Sequence, residues 1–314
     1  MGKARSIPAV LEDVKPVESG PIEAVSPPRP ITIKTIRRRV ARGEKFAALT
    51  CYDATTARWL ERAGVPILLV GDTAAEVILG FDRTVDMPLD IAVALTAAVK
   101  RGAPNTMVMA DMPFLSYHES AAQAIRNAGR FVTEGMADVV KFEMDGSFGG
   151  LVERLTRAGI AVCGHVGSKP QQAAVHGGYG SSGRTADEAE QIIQDAVTLE
   201  QAGAVMLLVE AVPDEVTERI LIETSVPLIG IGAGTRCHGQ ILVLQDLLGM
   251  TDKPPRFAEP VEHFGTRLTE AAREWIRRVS AGTIGGQRYL MAAEEAQRLR
   301  IRTSSLAEHS GRTE

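Results

Sequence analysis

Four stretches of this chain begin as apolar runs and stop on a carboxylate. They are ILLVGDTAAEV (67–77), MVMADMPF (107–114), DVVKFEMDG (138–146) and VMLLVEAVP (205–213). One acidic residue after an apolar run is commonly a helix cap. Recurrence of the pattern points instead to a repeated architecture that brings run ends together.

Eight such runs can be read: FAALTCYD (46–53), ILLVGD (67–72), MVMADMP (107–113), DVVKFE (138–143), AVCGHVG (161–167), VMLLVE (205–210), VPLIGIGAG (226–234) and ILVLQD (241–246). Each is of strand length and apolar throughout, the pattern of a parallel sheet covered on both faces. Between them lie amphipathic stretches such as 54–64, 119–135 and 185–203, several closed by a C-terminal glycine. Alternation of this kind predicts a (β/α)8 TIM barrel, with an N-terminal helix before the first strand. A doubly wound open sheet is the competitor. The barrel is favoured because Asp53, Asp72, Asp111, Glu143, His165 and Glu210 all end runs, and a closed barrel gathers those ends at one mouth.

The barrel is expected over 31–282. Residues 1–30 hold six of the sixteen prolines and form a flexible leader. Residues 283–314 read as a charged helix and a polar tail. A net charge of −4 argues against a nucleic-acid partner, and the basic cluster IRRRV (36–40) fits the wet side of a helix. No apolar run reaches the roughly 18 residues of a membrane span. Met1-Gly2-Lys3-Ala4-Arg5-Ser6 matches the myristoylation pattern, which short sequences match readily by chance. Cysteines 51, 163 and 237 are odd in number and far apart, which fits a reducing cytoplasm without disulfides or a zinc site.

Asp72, Asp111 and Glu143 end three consecutive runs. Neighbouring strands lie about 4.8 Å apart, so three of them span about 10 Å. Carboxylates that close repel unless they take up protons or share a cation. Magnesium suits an all-oxygen set, with Asp72 and Asp111 binding directly and Glu143 directly or through water. Separate helix capping is the alternative. Lys141 lies two residues before Glu143 on the same strand face, placed to neutralise a substrate carboxylate or an enolate, or to pair with Glu143. Glu210, between Val209 and Ala211, is a candidate general base, with a helix N-terminal contact as its alternative. His165 is either an active-site residue or a satisfied core histidine. GYGSSG (178–183) makes a poor dinucleotide fingerprint and reads as a loop over the mouth, where Ser181, Ser182 and Arg184 could meet an anion. The glycines of GIGAG (230–234) serve tight packing or ligand approach.

These residues resemble the ketopantoate hydroxymethyltransferase family over roughly 31–282. The resemblance rests on TCYDATTA (50–57), LLVGD (68–72), RGAPN (101–105), ADMPF (110–114), VKFE (140–143), CGHVG (163–167), VPLIGIGAG (226–234) and HGQILVLQD (238–246). It implies a barrel enzyme, a homo-oligomer (a decamer of two pentameric rings) in the cytoplasm, and one magnesium ion per subunit. It also implies 3-methyl-2-oxobutanoate as substrate and 5,10-methylenetetrahydrofolate as one-carbon donor, with ketopantoate as product. By motif position, Asp72, Asp111 and Glu143 would hold the metal. Asp72, Thr73, Asp111, Lys141 and His165 would meet substrate, and Glu210 would be the base. The chain departs from the family's usual GDSLG at Gly71-Asp72-Thr73-Ala74-Ala75, within GYGSSGR, and at Phe81 and Asp86. Those departures bear on substrate size and on the folate step. Two further readings stay open: a magnesium-dependent C–C lyase of the phosphoenolpyruvate/isocitrate-lyase type, which CGH (163–165) faintly echoes, and a non-catalytic keto-acid binder.

Overall fold

The computed structural model describes residues 29–286 and 289–300. Most of the proline-rich leader and the tail beyond residue 300 lie outside them. Eight strands are present: β1 Phe46–Thr50, β2 Ile67–Val70, β3 Met107–Asp111, β4 Val139–Glu143, β5 Val162–Gly167, β6 Met206–Glu210, β7 Leu228–Ile231 and β8 Gly239–Leu242. Each pairs in parallel with the next, and β8 pairs with β1, closing the cylinder. The (β/α)8 barrel expected from the sequence is therefore the fold.

The helices are α1 Ile33–Ala41, α2 Ala54–Arg62, α3 Ala74–Val77, α4 Leu89–Gly102, α5 Ala121–Thr133, α6 Gly149–Arg157, α7 Ala173–His176, α8 Ala186–Gln201, α9 Asp214–Glu223, α10 Leu244–Leu247 and α11 Phe264–Ser280. Helix α1 precedes the first strand, as expected. It buries Ile36 and leaves Arg37 and Arg38 exposed. Residues 293–300 are also helical. The eighth run needs correction. Its strand starts earlier, at Gly239, and the Leu-Gln-Asp part of ILVLQD begins α10. Asp53 also leaves the expected cluster: it caps α2, accepting from Thr55 N at 2.8 Å and Thr56 N at 2.9 Å.

Two apolar layers hold the barrel. The outer layer lies between strands and helices and includes Leu68, Val108, Val140, Phe131 and Leu199. The inner one fills the cylinder with Phe46, Ile67, Leu69, Met107, Met109, Val139, Cys163, Met206 and Leu208, and Ile36 of α1 joins it. Successive strand residues face opposite sides, so the inner set recurs every second position. Burying each Leu, Ile or Met side chain stabilises the fold by about 1.5–3 kcal/mol. Continuing the same alternation toward the strand ends reaches Asp111, Lys141, Glu143, His165 and Glu210. The barrel interior thus changes from apolar to ionisable within one or two steps.

Candidate active site

Parallel register fixes which of these side chains are neighbours. Asp111 is paired with Lys141, Glu143 with His165, and Gly167 with Glu210. Asp72 lies two residues past the end of β2, beyond Gly71. A Cβ on Gly71 would come within 2.9 Å of Thr73 Oγ1 and 3.5 Å of Asp111 Oδ2, so glycine lets the chain pass close by. The Asp72 amide then donates to Asp111 Oδ2 at 3.2 Å. Asp72, Asp111, Lys141, Glu143 and His165 are all buried. Thr73, next to Asp72, is half-buried.

Lys141 is the hub. Its Nζ lies 2.9 Å from Asp111 Oδ1 and 3.2 Å from His165 Nδ1. The ion pair with Glu143 expected as one alternative is thus made with Asp111 instead. On the far side of the imidazole, Nε2 lies 3.3 Å from Glu210 Oε2, off the line of a formed hydrogen bond. His165 Nδ1 is 4.0 Å from Glu143 Oε1. The alternative that Glu210 caps the following helix fails, since no side chain caps α9.

Burial and mutual repulsion set the charge states. Burial, then Asp111, raises the Asp72 carboxyl to about 7. Burial, then Asp72, raises Glu143 well above the ordinary glutamate range. Burial raises Glu210 to about 7, against the pull of Lys141. For Lys141 burial favours the neutral amine, but Asp111, Asp72 and Glu143 together outweigh it and keep the ammonium charged. Burial, then Lys141, holds His165 well below the usual imidazole range, so it is neutral.

Two residues in this site carried no sequence signal. Gln171 is buried and faces the carboxylates. Its backbone N–H donates to Glu143 Oε2 at 3.0 Å, and its Nε2 donates to Asp72 Oδ2 at 2.9 Å and to Met112 O at 3.0 Å. Tyr117, also buried, has its hydroxyl 3.0 Å from both Gln171 Oε1 and Glu143 O. Both follow strands in irregular segments, where no periodicity marks an inward side chain.

The donor chemistry fits a hard dication. Asp72, Asp111 and Glu143 offer only oxygen, and a single ammonium, seated on Asp111 Oδ1, faces all three charges. Among the described residues, no three His, Cys, Asp or Glu side chains stand close enough together to hold an ion as they are.

The glycine loop borders a separate cleft of about 440 Å³, lined among others by Ser168, Lys169, Tyr179, Ser181, Ser182 and Gln191. Arg184 does not line it. The cleft adjoins Glu210, because Ser168 N donates to Glu210 O at 2.9 Å. In GIGAG, Gly234 has φ +69° and leaves no room for a Cβ beside Asp214, which favours tight packing.

Comparison with known proteins identifies the family. The sequence profile of the ketopantoate hydroxymethyltransferase family matches residues 30–286. A 3-methyl-2-oxobutanoate hydroxymethyltransferase from Shouchella clausii is 47% identical over 218 residues, covering 69% of this chain and 78% of that protein. The enzyme of that name from Halorhodospira halophila is 42% identical over 256 residues, covering 82% and 93%. Among solved structures, phosphonopyruvate hydrolase with oxalate and magnesium superposes with a TM-score of 0.55 at 14% identity, covering 90% of this chain and 100% of that one. A 2,3-dimethylmalate lyase gives 0.52 at 17%, covering 90% and 99%. These two likenesses bear on fold alone.

Proposed function

The chain belongs to the ketopantoate hydroxymethyltransferase family, and from that premise we propose the following reaction. A hydroxymethyl group is transferred to 3-methyl-2-oxobutanoate through an enolate, its carbon coming from the methylene of 5,10-methylenetetrahydrofolate and its oxygen from water, with tetrahydrofolate leaving, and the product is ketopantoate for pantothenate and coenzyme A synthesis. One observation carries the reading. Glu210 is a half-buried carboxyl raised to about 7, one imidazole away from a lysine that its carboxylate neighbours keep charged. A base poised near neutrality beside a fixed positive charge is what removal of a proton next to a ketone requires.

Glu210 takes the C3 proton. Lys141 offers its ammonium to the charge that develops on the keto oxygen. Asp72, Asp111 and Glu143 would hold one magnesium ion, which when bound supplies Lewis-acid polarisation of the 2-oxo acid. Thr73 and His165 border the substrate. The donor enters from the cleft beside Ser168 and Tyr179, so its methylene approaches on the Glu210 side.

The lyase alternative is weakened by Cys163. It sits inside the barrel, and burial pushes its thiol up to about 12, so CGH holds no reactive thiolate. A silent binder would have no use for a base held near 7. Homo-oligomer formation is supported by α11, which buries none of its residues while exposing Leu268, Trp275 and Ile276. Three buried free thiols fit the cytoplasm, and among the described residues no helix is long and apolar enough to cross a membrane.

The test is deuterium exchange at C3 of 3-methyl-2-oxobutanoate in heavy water with magnesium, followed by NMR. Exchange without folate, and ketopantoate only once methylenetetrahydrofolate is added, is the expected result. Exchange with no product in the presence of donor would reject the transferase, and no exchange would reject the enolate chemistry.

A further inference from the structure

Three carboxylates with six oxygens do not of themselves present a metal site. Something must turn each one so that an oxygen is left free. Asp111 is held otherwise: its Oδ2 accepts from Asp72 N, and its Oδ1 meets the Lys141 ammonium at 2.9 Å. For Asp72 and Glu143 the same residue does it twice. β5 ends at Gly167, and the chain crosses the mouth to a short 3-10 turn, Pro170–Gln172, that pushes Gln171 back inside. Gln171 then ties Asp72 Oδ2 through its side chain and Glu143 Oε2 through its backbone.

From this we infer that Gln171 is the positioning residue of the metal cradle. It fixes one oxygen of each outer carboxylate and leaves Asp72 Oδ1 and Glu143 Oε1 for the cation. The inference rests on the magnesium reading above. Two features separate this role from generic packing. First, the amide is engaged at both ends. Both Nε2 protons are donated, to Asp72 and Met112 O, and Oε1 faces the Tyr117 hydroxyl, which fixes the amide's orientation. Second, the group is a neutral donor. Lys141 already supplies one positive charge, and a second at position 171 would occupy the place of the dication. An acidic residue there would add a fourth repelling carboxylate. Only an uncharged donor orients the carboxylates without competing for the metal.

The experiment is magnesium titration calorimetry on the full chain, for wild type, Gln171→Leu and Tyr117→Phe, with melting curves recorded in the absence of metal. Gln171→Leu removes the side-chain donor and keeps the backbone bond to Glu143. Tyr117→Phe keeps the glutamine and removes the hydroxyl that faces its Oε1, together with that hydroxyl's contact to Glu143 O. Gln171→Leu is expected to raise the magnesium Kd at least tenfold, the usual scale for groups that orient ligands, and Tyr117→Phe by a smaller factor. The Gln171→Leu defect in C3 exchange should also be largely rescued by saturating magnesium, which general damage to the fold would not allow. Magnesium affinity within twofold of wild type in both variants overturns the inference. If Gln171→Leu does not fold, Tyr117→Phe decides alone by the same criterion. Wild type that fails to bind magnesium would instead reject the metal reading itself, and this inference with it.

Discussion

Lys141 Nζ and His165 Nδ1 meet at 3.2 Å, and only the ammonium can be the donor. Nδ1 must therefore accept, and the ring proton sits on Nε2, facing Glu210. A neutral histidine held in one tautomer by a lysine turns its Nε2–H toward the Glu210 carboxylate; it does not itself exchange protons near neutrality. The family resemblance implies that His165 contacts substrate, and the fold sets it against Lys141, Glu210 and the Ser168 backbone.

Replacing His165 with Leu should therefore act through Glu210. A donor facing a carboxylate favours its charged form, and removal of that donor lets the pKa rise. In wild type the pH midpoint of C3 exchange should follow Glu210, raised to about 7, and in the variant it is expected to move upward with magnesium affinity unchanged. A profile from pH 5.5 to 8.5 tests this. An unshifted midpoint would show that the imidazole does not act on Glu210.

Glu210→Gln keeps the shape of the side chain and removes the base. Exchange at C3 should fall by roughly 10²–10⁴-fold, the usual worth of a positioned base. Magnesium titration of the same variant should match wild type, because Asp72, Asp111 and Glu143 are untouched. Exchange persisting at more than a tenth of the wild-type rate would assign the base elsewhere.

Stability of the metal-free chain should fall as pH rises. Asp72 and Glu210 sit at about 7, against ordinary values of 3.8 and 4.5, and Glu143 is raised in the same direction. The folded state therefore holds more protons than the unfolded one between about pH 4 and 7. Each such carboxyl contributes stability that is complete below its unfolded pKa and lost as pH passes its folded one, at up to about 1.4 kcal/mol per pH unit. His165 has the opposite sign, because its depressed pKa costs stability below 6.5. It is one group against three. Urea denaturation at pH 5, 6, 7 and 8 without metal should show the decline, and saturating magnesium should flatten it. Stability rising from pH 5 to 8 without metal would contradict these charge states.

Much of this site was legible because strands obey a period of two. Once the runs are read as barrel strands, Asp111, Lys141, Glu143, His165 and Glu210 fall on the inner face at the mouth. Asp72 lies off that period and was found only because it ends its run. Asp53 shows the limit of that rule: it also ends a run, yet local bonding to Thr55 and Thr56 claims it as a cap. Gln171 and Tyr117 were not readable. Their places depend on how loops fold back across the mouth, and an uncharged amide after a proline resembles any surface turn. The eighth strand was displaced for a related reason, since ILVL continues apolar from strand into helix with no break.

Helix α11 exposes Phe264, Leu268, Trp275 and Val279 on one side, at helical spacing. An apolar stripe of that length is costly to leave in water, and a second copy of the chain is the proposed cover. Changing Leu268 and Trp275 together to Asp should reduce the assembled mass measured by light scattering, while the barrel's melting transition is retained. Unchanged mass would place the interface elsewhere.

Lys141→Met gives the sharpest check on the charge balance. The lysine touches Asp111 Oδ1 at 2.9 Å and also feels the charges of Asp72 and Glu143. Removing one partner of a buried pair costs about 3–5 kcal/mol, because the charge left behind is uncompensated. That cost exists only while the carboxylates are ionised. Burial already raises Asp72 and Glu143, and both lose the lowering pull of the ammonium in the variant, so at pH 5 they stay protonated and much of the penalty is avoided. Metal-free Lys141→Met should therefore be destabilised strongly at pH 8 and only slightly at pH 5. Magnesium, which meets the same charge, should restore part of the difference at pH 8. Catalysis should not recover with it, since the developing keto-oxygen charge still lacks the ammonium. Urea midpoints at the two pH values, with and without magnesium, measure the first effect, and C3 exchange at saturating magnesium measures the second. A loss of stability equal at pH 5 and pH 8 would mean that Lys141 matters for its packing rather than its charge.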